Sequence, residues 1–475
     1  MTARPYDLIV IGGGAAGLTS AGFMGKVGGR VALIEREHLG GDCTWAGCVP
    51  SKALLKVGKM AQTVREAAKY GITTSPPQVD MAAVRAYVQA TIDEIYQHET
   101  PEVFGKNYNV EVIIGEARFV DPHTVAVGDR RLSAKKVIIA TGARPTIPPI
   151  DGLADVAYKT NRNIFDNDRL PERLLVIGAG PIGVEMAQAH ARLGAEVVLI
   201  DERLLPRDEP EVAEVIQPIL AREGVRFVSG LVAAAQQGGE RDITLTLKDG
   251  QTFTGDMLLV AVGRTPNTAL DLEKAGVDYA PDGIIVDKFL RTSARHIYAV
   301  GDCTQGPKFT HYAGFQASIA GRNATLPFIN SNGHDENVPW VTFTDPEIAH
   351  VGLTEAQARE RHGDKVKVRH FSLRDGDRTL IEGDAEGFIK MVYLGGGRLI
   401  GATVVSQRAG EMIFEFLLAV KGKISLSGLV GLMHPYPSYS DVVKKAASGL
   451  VIDELFKGVS GWGVRLLGRL LFKTK

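Results

Sequence analysis

Two stretches of the chain alternate apolar and polar character in the same way. "YDLIVIGGGAAGLTSAGFMGKVGGRVALIERE" opens on a short apolar run, Leu8 to Ile11, that is broken by a glycine cluster. An alanine-rich stretch of helical character follows, and a second apolar run, "VALIE", closes on the acid Glu35. The pattern predicts a strand, a helix and a second strand. It recurs in "RLLVIGAGPIGVEMAQAHARLGAEVVLIDER", where the closing acid is Asp201. Three more apolar runs, "VIIATGARP" (137–145), "LLVAVGRTPN" (258–267) and "IYAVGDC" (297–303), are each broken by glycine and predict strand-to-loop turns. The last residues, "SGWGVRLLGRLLFKTK" (460–475), have a different period. Arg465, Arg469 and Lys473 share one helical face, and Leu466, Leu467, Leu470 and Leu471 line another behind Trp462. A basic amphipathic helix of this kind either lies on a membrane surface or packs on protein with its charges solvated, and Gly463 and Gly468 weaken it in both settings.

The glycines of the two long repeats fall in G-x-G-x-x-G spacing: Gly12, Gly14 and Gly17, then Gly178, Gly180 and Gly183. Glycine there lets backbone N–H groups reach a pyrophosphate at a helix N-terminus, while the acid ending the second strand accepts from a ribose hydroxyl. Two such sites about 165 residues apart predict one flavin and one nicotinamide nucleotide. At the second site Asp201, followed by Glu202, accepts from a free 2′-hydroxyl and repels a 2′-phosphate, which favours NADH; Arg203 keeps NADPH as the alternative. Asp302 is the polar residue of the third glycine turn. Its natural partner is a ribitol or ribose hydroxyl, and the competing role is to cap the helix that follows.

With 475 residues, the chain is expected to form about two to four domains. Its 54 lysines and arginines balance 55 acids, so no global field attracts nucleic acid. The chain enters its first strand at once, without a charged-then-apolar leader, and has no run of eighteen apolar residues, which predicts neither a targeting signal nor a membrane span. Three cysteines are too few for a disulfide framework and point to a reducing, cytoplasmic setting, with peripheral membrane contact only through the tail. Two of the three lie in "GGDCTWAGCVPSK". Cys43 and Cys48 are too far apart for a thioredoxin-type Cys-x-x-C, and no second pair completes a zinc site, so no metal site is predicted. "CVPSKALLK" reads as a helix start with Pro50 tolerated in the first turn, which puts Cys48 near the positive end of a helix, where a thiolate is stabilised. Cys303 is expected to be a small buried residue.

The order of "GGGAAG", "GGDCTWAGCVPSK", "ATGARP", "GAGPIGVE", "VAVGRTPN", "YAVGDC" and "VTFTDPEIAHVGLTE" resembles the pyridine nucleotide–disulfide oxidoreductases, the family of dihydrolipoamide dehydrogenase, glutathione reductase and mercuric reductase, from about Tyr6 to Leu450. The resemblance implies an α/β fold with two Rossmann-like dinucleotide-binding domains and a C-terminal α+β dimerisation domain. It implies an FAD-binding domain over 1–150 and a nicotinamide-binding domain over 151–275. A return to the FAD domain over 276–337 and an interface domain over 338–453 would follow, with the basic tail at 454–475. FAD would be held by Gly12, Gly14, Gly17, Glu35, Lys52, Thr141, Gly142 and Asp302, and the nicotinamide nucleotide by Gly178, Gly180, Gly183, Asp201 and Gly263. Cys48 would face the flavin and Cys43 the substrate, with Lys52 paired to Glu185. A homodimer would complete each active site from the partner chain, and a small-molecule acceptor would take the electrons.

One stretch departs from that resemblance. Disulfide-reducing members carry His-Pro-x-x-x-Glu in the interface domain, the histidine being the base for the outer thiol. Here "MHPYPSYSDVVKKA" (433–446) offers His434-Pro435 without an acid in the matching place, or Tyr436-Pro437 with Ser438 and Asp441 in register. The second register agrees better and sets Tyr436 where the base would be, with His434 as a substitute. A phenol of pKa near 10 does not take a thiol proton at pH 7 as an imidazole does. Mercuric reductases also carry tyrosine there, which implies a mercuric reductase-like subgroup. With Cys303 the last cysteine, only Cys43 and Cys48 would be left to hold Hg(II), so the expected acceptor is neither an ordinary disulfide nor efficiently delivered Hg(II). Dihydrolipoamide oxidation as a complex subunit and quinone reduction at a membrane surface are the alternatives.

Overall fold

The computed structural model describes residues 5–456 apart from Glu240 and Pro327, together with 462–463, 466–468 and 471. The basic face expected of the tail, with Arg465, Arg469 and Lys473, therefore lies outside the described residues. The chain divides into two compact units, residues 1–203 with 223–335, and residues 204–222 with 336–475.

The first unit contains two sheets built on parallel strands, the first of which continues beyond Arg130–Ile139 into the antiparallel strands Thr124–Val127 and Ala117–Asp121. In one, Val110–Ile114, Val31–Glu35, Tyr6–Ile11 and Arg130–Ile139 run side by side, and Ile297–Ala299 pairs in parallel beside Arg130–Ile139. The run "LIVI" is uniformly apolar because both faces are covered: Leu8, Val10, Leu33 and Ile138 pack on one side, and Ile9, Ile11, Ile34 and Ile139 on the other. The second sheet repeats the plan with Val225–Ser229, Glu196–Asp201, Arg173–Ile177, Met257–Val260 and Tyr158–Lys159, all parallel. In each sheet the helix after the first glycine turn, Ala15–Lys26 or Pro181–Leu193, leads on to the next parallel strand.

The second unit is built on an antiparallel sheet, ordered Trp340–Thr342, Glu347–Gly352, Arg398–Ser406, Phe388–Leu394 and Lys367–Ser372. Ala409–Val420 and Tyr439–Leu455 cover one face of it through Met412, Phe416, Val443 and Ala447. Segregated helices on an antiparallel sheet make this unit α+β. Residues 204–222, expected from the sequence to belong with 151–275, group here with 336–475. The cause is a buried ion cluster. Lys390, whose side chain is 2% exposed, lies 3.1 Å from Glu209, 2.7 Å from Glu211 and 2.8 Å from Glu355. Trp340 Nε1 also donates to Asp208 at 2.9 Å. Among the described residues no helix is long and apolar enough to cross a membrane.

Candidate active site

The two glycine turns have the same geometry. Gly12 and Gly178 each take a φ of +105°, which an L side chain resists. A Cβ on Gly17 would lie 1.7 Å from the Gly12 carbonyl oxygen, and one on Gly183 would lie 1.8 Å from that of Gly178. Neither position admits a side chain, so the helix can begin directly against the turn. The terminal acids are held alike. Glu35 accepts from Gly13 N–H at 2.6 Å, and Asp201 accepts from Ala179 N–H at 2.7 Å. Each carboxylate is thus fixed beside its turn, where a ribose hydroxyl would meet it.

A cavity of about 510 Å³ opens from the first turn, and its walls include Gly12, Glu35, Thr141, Cys43, Asp302 and Thr310. Thr141 and Asn267 exchange side-chain to backbone hydrogen bonds of 2.7 and 2.9 Å, which hold the wall where Gly142 turns with φ +66°. Gly263, φ +136°, lies in the loop before the short strand Arg264–Pro266, which pairs with Ala143–Pro145. Asp302 sits in the turn that follows Ile297–Ala299; burial pushes its carboxyl up, and the Arg264 guanidinium opposes that rise. A glycine cradle, a fixed acid and a cavity whose wall includes Cys43 fit a flavin dinucleotide. Among the described residues no group of three or more His, Cys, Asp or Glu is placed to hold a metal ion.

Cys48 is the first residue of the helix Cys48–Glu66, behind Gly47, and both active-site cysteines are free thiols. Its thiol is brought down to about 6, first by the hydrogen bond from Cys43 and then by those of Thr310 and the charge of Lys52, against the effect of burial. Thr310 Oγ1 lies 3.3 Å from Cys48 Sγ. The Cys43 thiol moves the opposite way, pushed far up by sharing its proton with Cys48 and by burial. The pair therefore holds one proton, on Cys43. Lys52 Nζ lies 2.9 Å from Glu185, whose side chain is 6% exposed. Cys303 is fully buried against the Ile139 and Val300 carbonyls, away from this chemistry. Trp45 does not fill the site: its Nε1 donates to Leu39 O at 2.9 Å and its ring packs against His38 and Tyr96.

The loop of Met433 to Asp441 belongs to the second unit. Tyr436 is 69% exposed, and its phenol is pushed up by a hydrogen bond to Asp377, a carboxylate that also accepts from Lys445 at 2.9 Å. The acid that the phenol meets is thus Asp377, whereas the sequence register suggested Asp441. The Asp441 N–H instead donates to Ser438 Oγ, the cap of the helix Tyr439–Leu455. His434 is engaged: Nδ1 lies 3.0 Å from Leu432 O and Nε2 lies 3.3 Å from Glu415, with the side chain 6% exposed.

Comparison with known proteins places these features in a family. Residues 6–317 match the pyridine nucleotide-disulphide oxidoreductase family, and residues 338–447 match its dimerisation domain. The chain belongs to that family. It is similar to the mercuric reductase of Lysinibacillus sphaericus, 37% identical over 93% of this chain and 82% of that one. It is also similar to the dihydrolipoyl dehydrogenase of Thermus scotoductus, 35% identical over 94% of this chain and 98% of that one. Among solved structures, the HOCl-induced flavoprotein disulfide reductase RclA of Escherichia coli superimposes with a TM-score of 0.84 at 28% identity, over 93% of this chain and 99% of that one. This oxidoreductase is therefore an FAD-dependent, NAD(P)H-linked enzyme, and its dimerisation domain supports a homodimer.

Several residues near the thiols were not read from the sequence as site residues, although Arg264 lies within "VAVGRTPN". Arg264 Nη1 lies 2.7 Å from Asp42 and its Nε 3.4 Å from Asp302. Asn161, 7% exposed, donates to Ala46 O at 3.0 Å and reaches both Asp42 oxygens at 3.3 and 3.4 Å. Thr310 was hidden because its partner, Cys48, is 262 positions away.

Proposed function

We propose that this oxidoreductase is an NADH-driven reductase of a thiophilic metal ion held by thiols, with mercuric ion as the type substrate and Cys43–Cys48 as the relay. Gly12, Gly14, Gly17, Glu35, Lys52, Thr141, Gly142 and Asp302 would hold FAD, and Gly178, Gly180, Gly183, Asp201 and Gly263 the nicotinamide nucleotide. FAD, when bound there, would supply two-electron transfer between the nicotinamide and the cysteine pair. Cys48 lies at the inner end with a thiolate supported by Lys52 and Thr310. Cys43 keeps the proton and meets the acceptor. The overall reaction balances as NADH and Hg(II) giving NAD⁺, Hg(0) and one proton.

The observation that carries this reading is the 433–441 loop. A disulfide reductase needs an imidazole there to take and return the outer thiol's proton. Here the exposed position is a phenol that the Asp377 hydrogen bond holds more firmly protonated, and the neighbouring imidazole is occupied by Glu415 and the Leu432 carbonyl. A thiol-bound metal ion displaces the thiol protons itself and needs no such base. In the homodimer the loop would reach the partner's thiols, as the family resemblance implies.

The test is steady-state turnover of the purified holoenzyme with NADH and mercuric chloride in excess thiol, set beside dihydrolipoamide with NAD⁺. Mercuric-dependent NADH oxidation with slow dihydrolipoamide oxidation is expected. Dihydrolipoamide turnover at ~10 per second or more, a rate typical of enzymes, would move the assignment to a dihydrolipoamide dehydrogenase.

A further inference from the structure

The turn that carries Cys43 is pinned at the residues around the cysteine. The short helix Gly41–Trp45 follows Gly40, which has φ +93°. Asp42, directly before Cys43, meets Arg264 at 2.7 Å and the Asn161 amide at 3.3 and 3.4 Å. Ala46, at the far end, gives its carbonyl to the same Asn161 amide at 3.0 Å and its N–H to Asp42 O at 2.9 Å. Thr44, 4% exposed, donates to Glu99 at 3.0 Å, and Trp45 donates to Leu39 O. Arg264 is itself held by the Ala143 carbonyl at 3.0 Å. So one buried amide grips both ends of the turn, and an arginine 222 positions away fixes its first end. The Cys43 thiol itself hydrogen-bonds Cys48 and Thr310.

We propose that Asp42, Asn161 and Arg264 are positioning residues that hold this turn so that the Cys43 thiol stays over Cys48, and that they thereby set how readily the pair closes into a disulfide. The inference rests on the reading of Cys43–Cys48 as the redox pair and is independent of which acceptor the enzyme serves. Closing brings the two sulfurs to about 2.05 Å. The dithiol reacts with an oxidant of the disulfide class. With glutathione disulfide, one S–S bond forms between Cys43 and Cys48, one breaks in the oxidant, and the Cys43 proton together with one from solvent ends on the two glutathiones. The equilibrium constant is the effective concentration of one thiol at the other, and a scaffold that freezes their relative position raises it. Asp42 acts in this scheme through its hydrogen bonds and not as a base, since both of its oxygens are taken up by Asn161 and one by Arg264.

The experiment equilibrates the holoenzyme in glutathione buffers of graded composition. Acid quenching, mass-tagging of free thiols and counting by mass spectrometry then give the dithiol–disulfide constant. Asp42→Ala and Asn161→Ala should each lower that constant at least tenfold, in favour of the dithiol. Asp42→Asn, which keeps an acceptor for Arg264, should stay within threefold of the parent. The pH midpoint of the Cys48 thiolate should rise in the two alanine variants, because a Cys43 thiol no longer held in place gives up the hydrogen bond that is its first cause, and should stay in Asp42→Asn. The proposal is overturned if both alanine variants keep the parent constant within threefold. It is equally overturned if Asp42→Asn falls as far as Asp42→Ala, since charge and not position would then be the cause. Should Asp42→Ala fail to fold, Asn161→Ala alone decides the question by the same threshold.

Discussion

Two cysteines five positions apart acquire opposite acidities from what surrounds them. Cys48 gains its proton-sharing partner Cys43, the Thr310 hydroxyl and the Lys52 ammonium, and sits at the start of a helix of 19 residues. Its folded pKa of about 6 lies below that of a free thiol, so the thiolate persists above that pH and is lost as pH falls through it. Removing the cation with Lys52→Met takes away one charge that favours the ionised form. The thiolate midpoint should then rise by about one unit. Thr310→Val should raise it at least as much, because the Thr310 hydrogen bond contributes more to the lowering than the Lys52 charge does. Both shifts can be read from the pH dependence of thiolate absorbance in the reduced protein. An unchanged midpoint in Lys52→Met would mean that Lys52 serves Glu185 alone. Because Glu185 is buried, the double variant Lys52→Met with Glu185→Gln is the control that avoids an uncompensated acid.

At the scale of elements, the two strand–turn–helix repeats are close structural copies, yet they are proposed to hold different nucleotides. Alanine at either third glycine collides with a carbonyl oxygen at under 2 Å, so each substitution should disable only its own turn. Gly17→Ala is expected to yield protein that purifies without yellow flavin. Gly183→Ala should purify yellow and show a KM for NADH raised about tenfold or more, some 1.4 kcal/mol in binding. Flavin loss in the second variant and retention in the first would reverse the assignment. These elements were legible in the sequence because each is local: an apolar strand, glycines at fixed spacing and an acid at the end of the next strand lie within about 30 residues. The Cys43–Cys48 motif was legible for the same reason. The contacts of Arg264, Asn161 and Thr310 were not, because each meets its partner across more than a hundred positions; Arg264 stands in "VAVGRTPN", yet nothing local links it to Asp42. The register pointed to Tyr436 with Asp441 five positions on, but the phenol's hydrogen-bond partner was not legible. Helix capping by Ser438 engages the Asp441 N–H, and the phenol meets Asp377, which no spacing rule connects to it. Residues 204–222 were misgrouped for a similar reason. Their charged partner Lys390 lies some 180 positions on, in a strand that sequence alone does not pair with them.

For the whole molecule, the second unit leaves apolar surface that a single chain does not cover. Met433 is 98% exposed, Phe414 58% and Leu432 54%, and Tyr436 stands among the same loop residues. They fall within the stretch that matches the family's dimerisation domain, so a second copy is the occupant the match supports. Burial of large apolar side chains contributes roughly 25 cal/mol per Å², whereas a carboxylate placed in the same contact must be desolvated at a cost of several kcal/mol. Met433→Glu combined with Phe414→Glu should therefore shift the protein from dimer to monomer in sedimentation velocity, at micromolar concentration and without loss of helical signal. The functional consequence separates the two halves of catalysis. The nucleotide turns, the cavity and both thiols lie in the first unit of one chain, so NADH should still reduce the flavin of the monomer. If the 433–441 loop of a second copy completes the acceptor site, turnover with mercuric chloride should fall at least tenfold in the same preparation. A monomer that keeps full turnover would put the acceptor site within one chain, and the phenol at 436 would then have no part in choosing the acceptor.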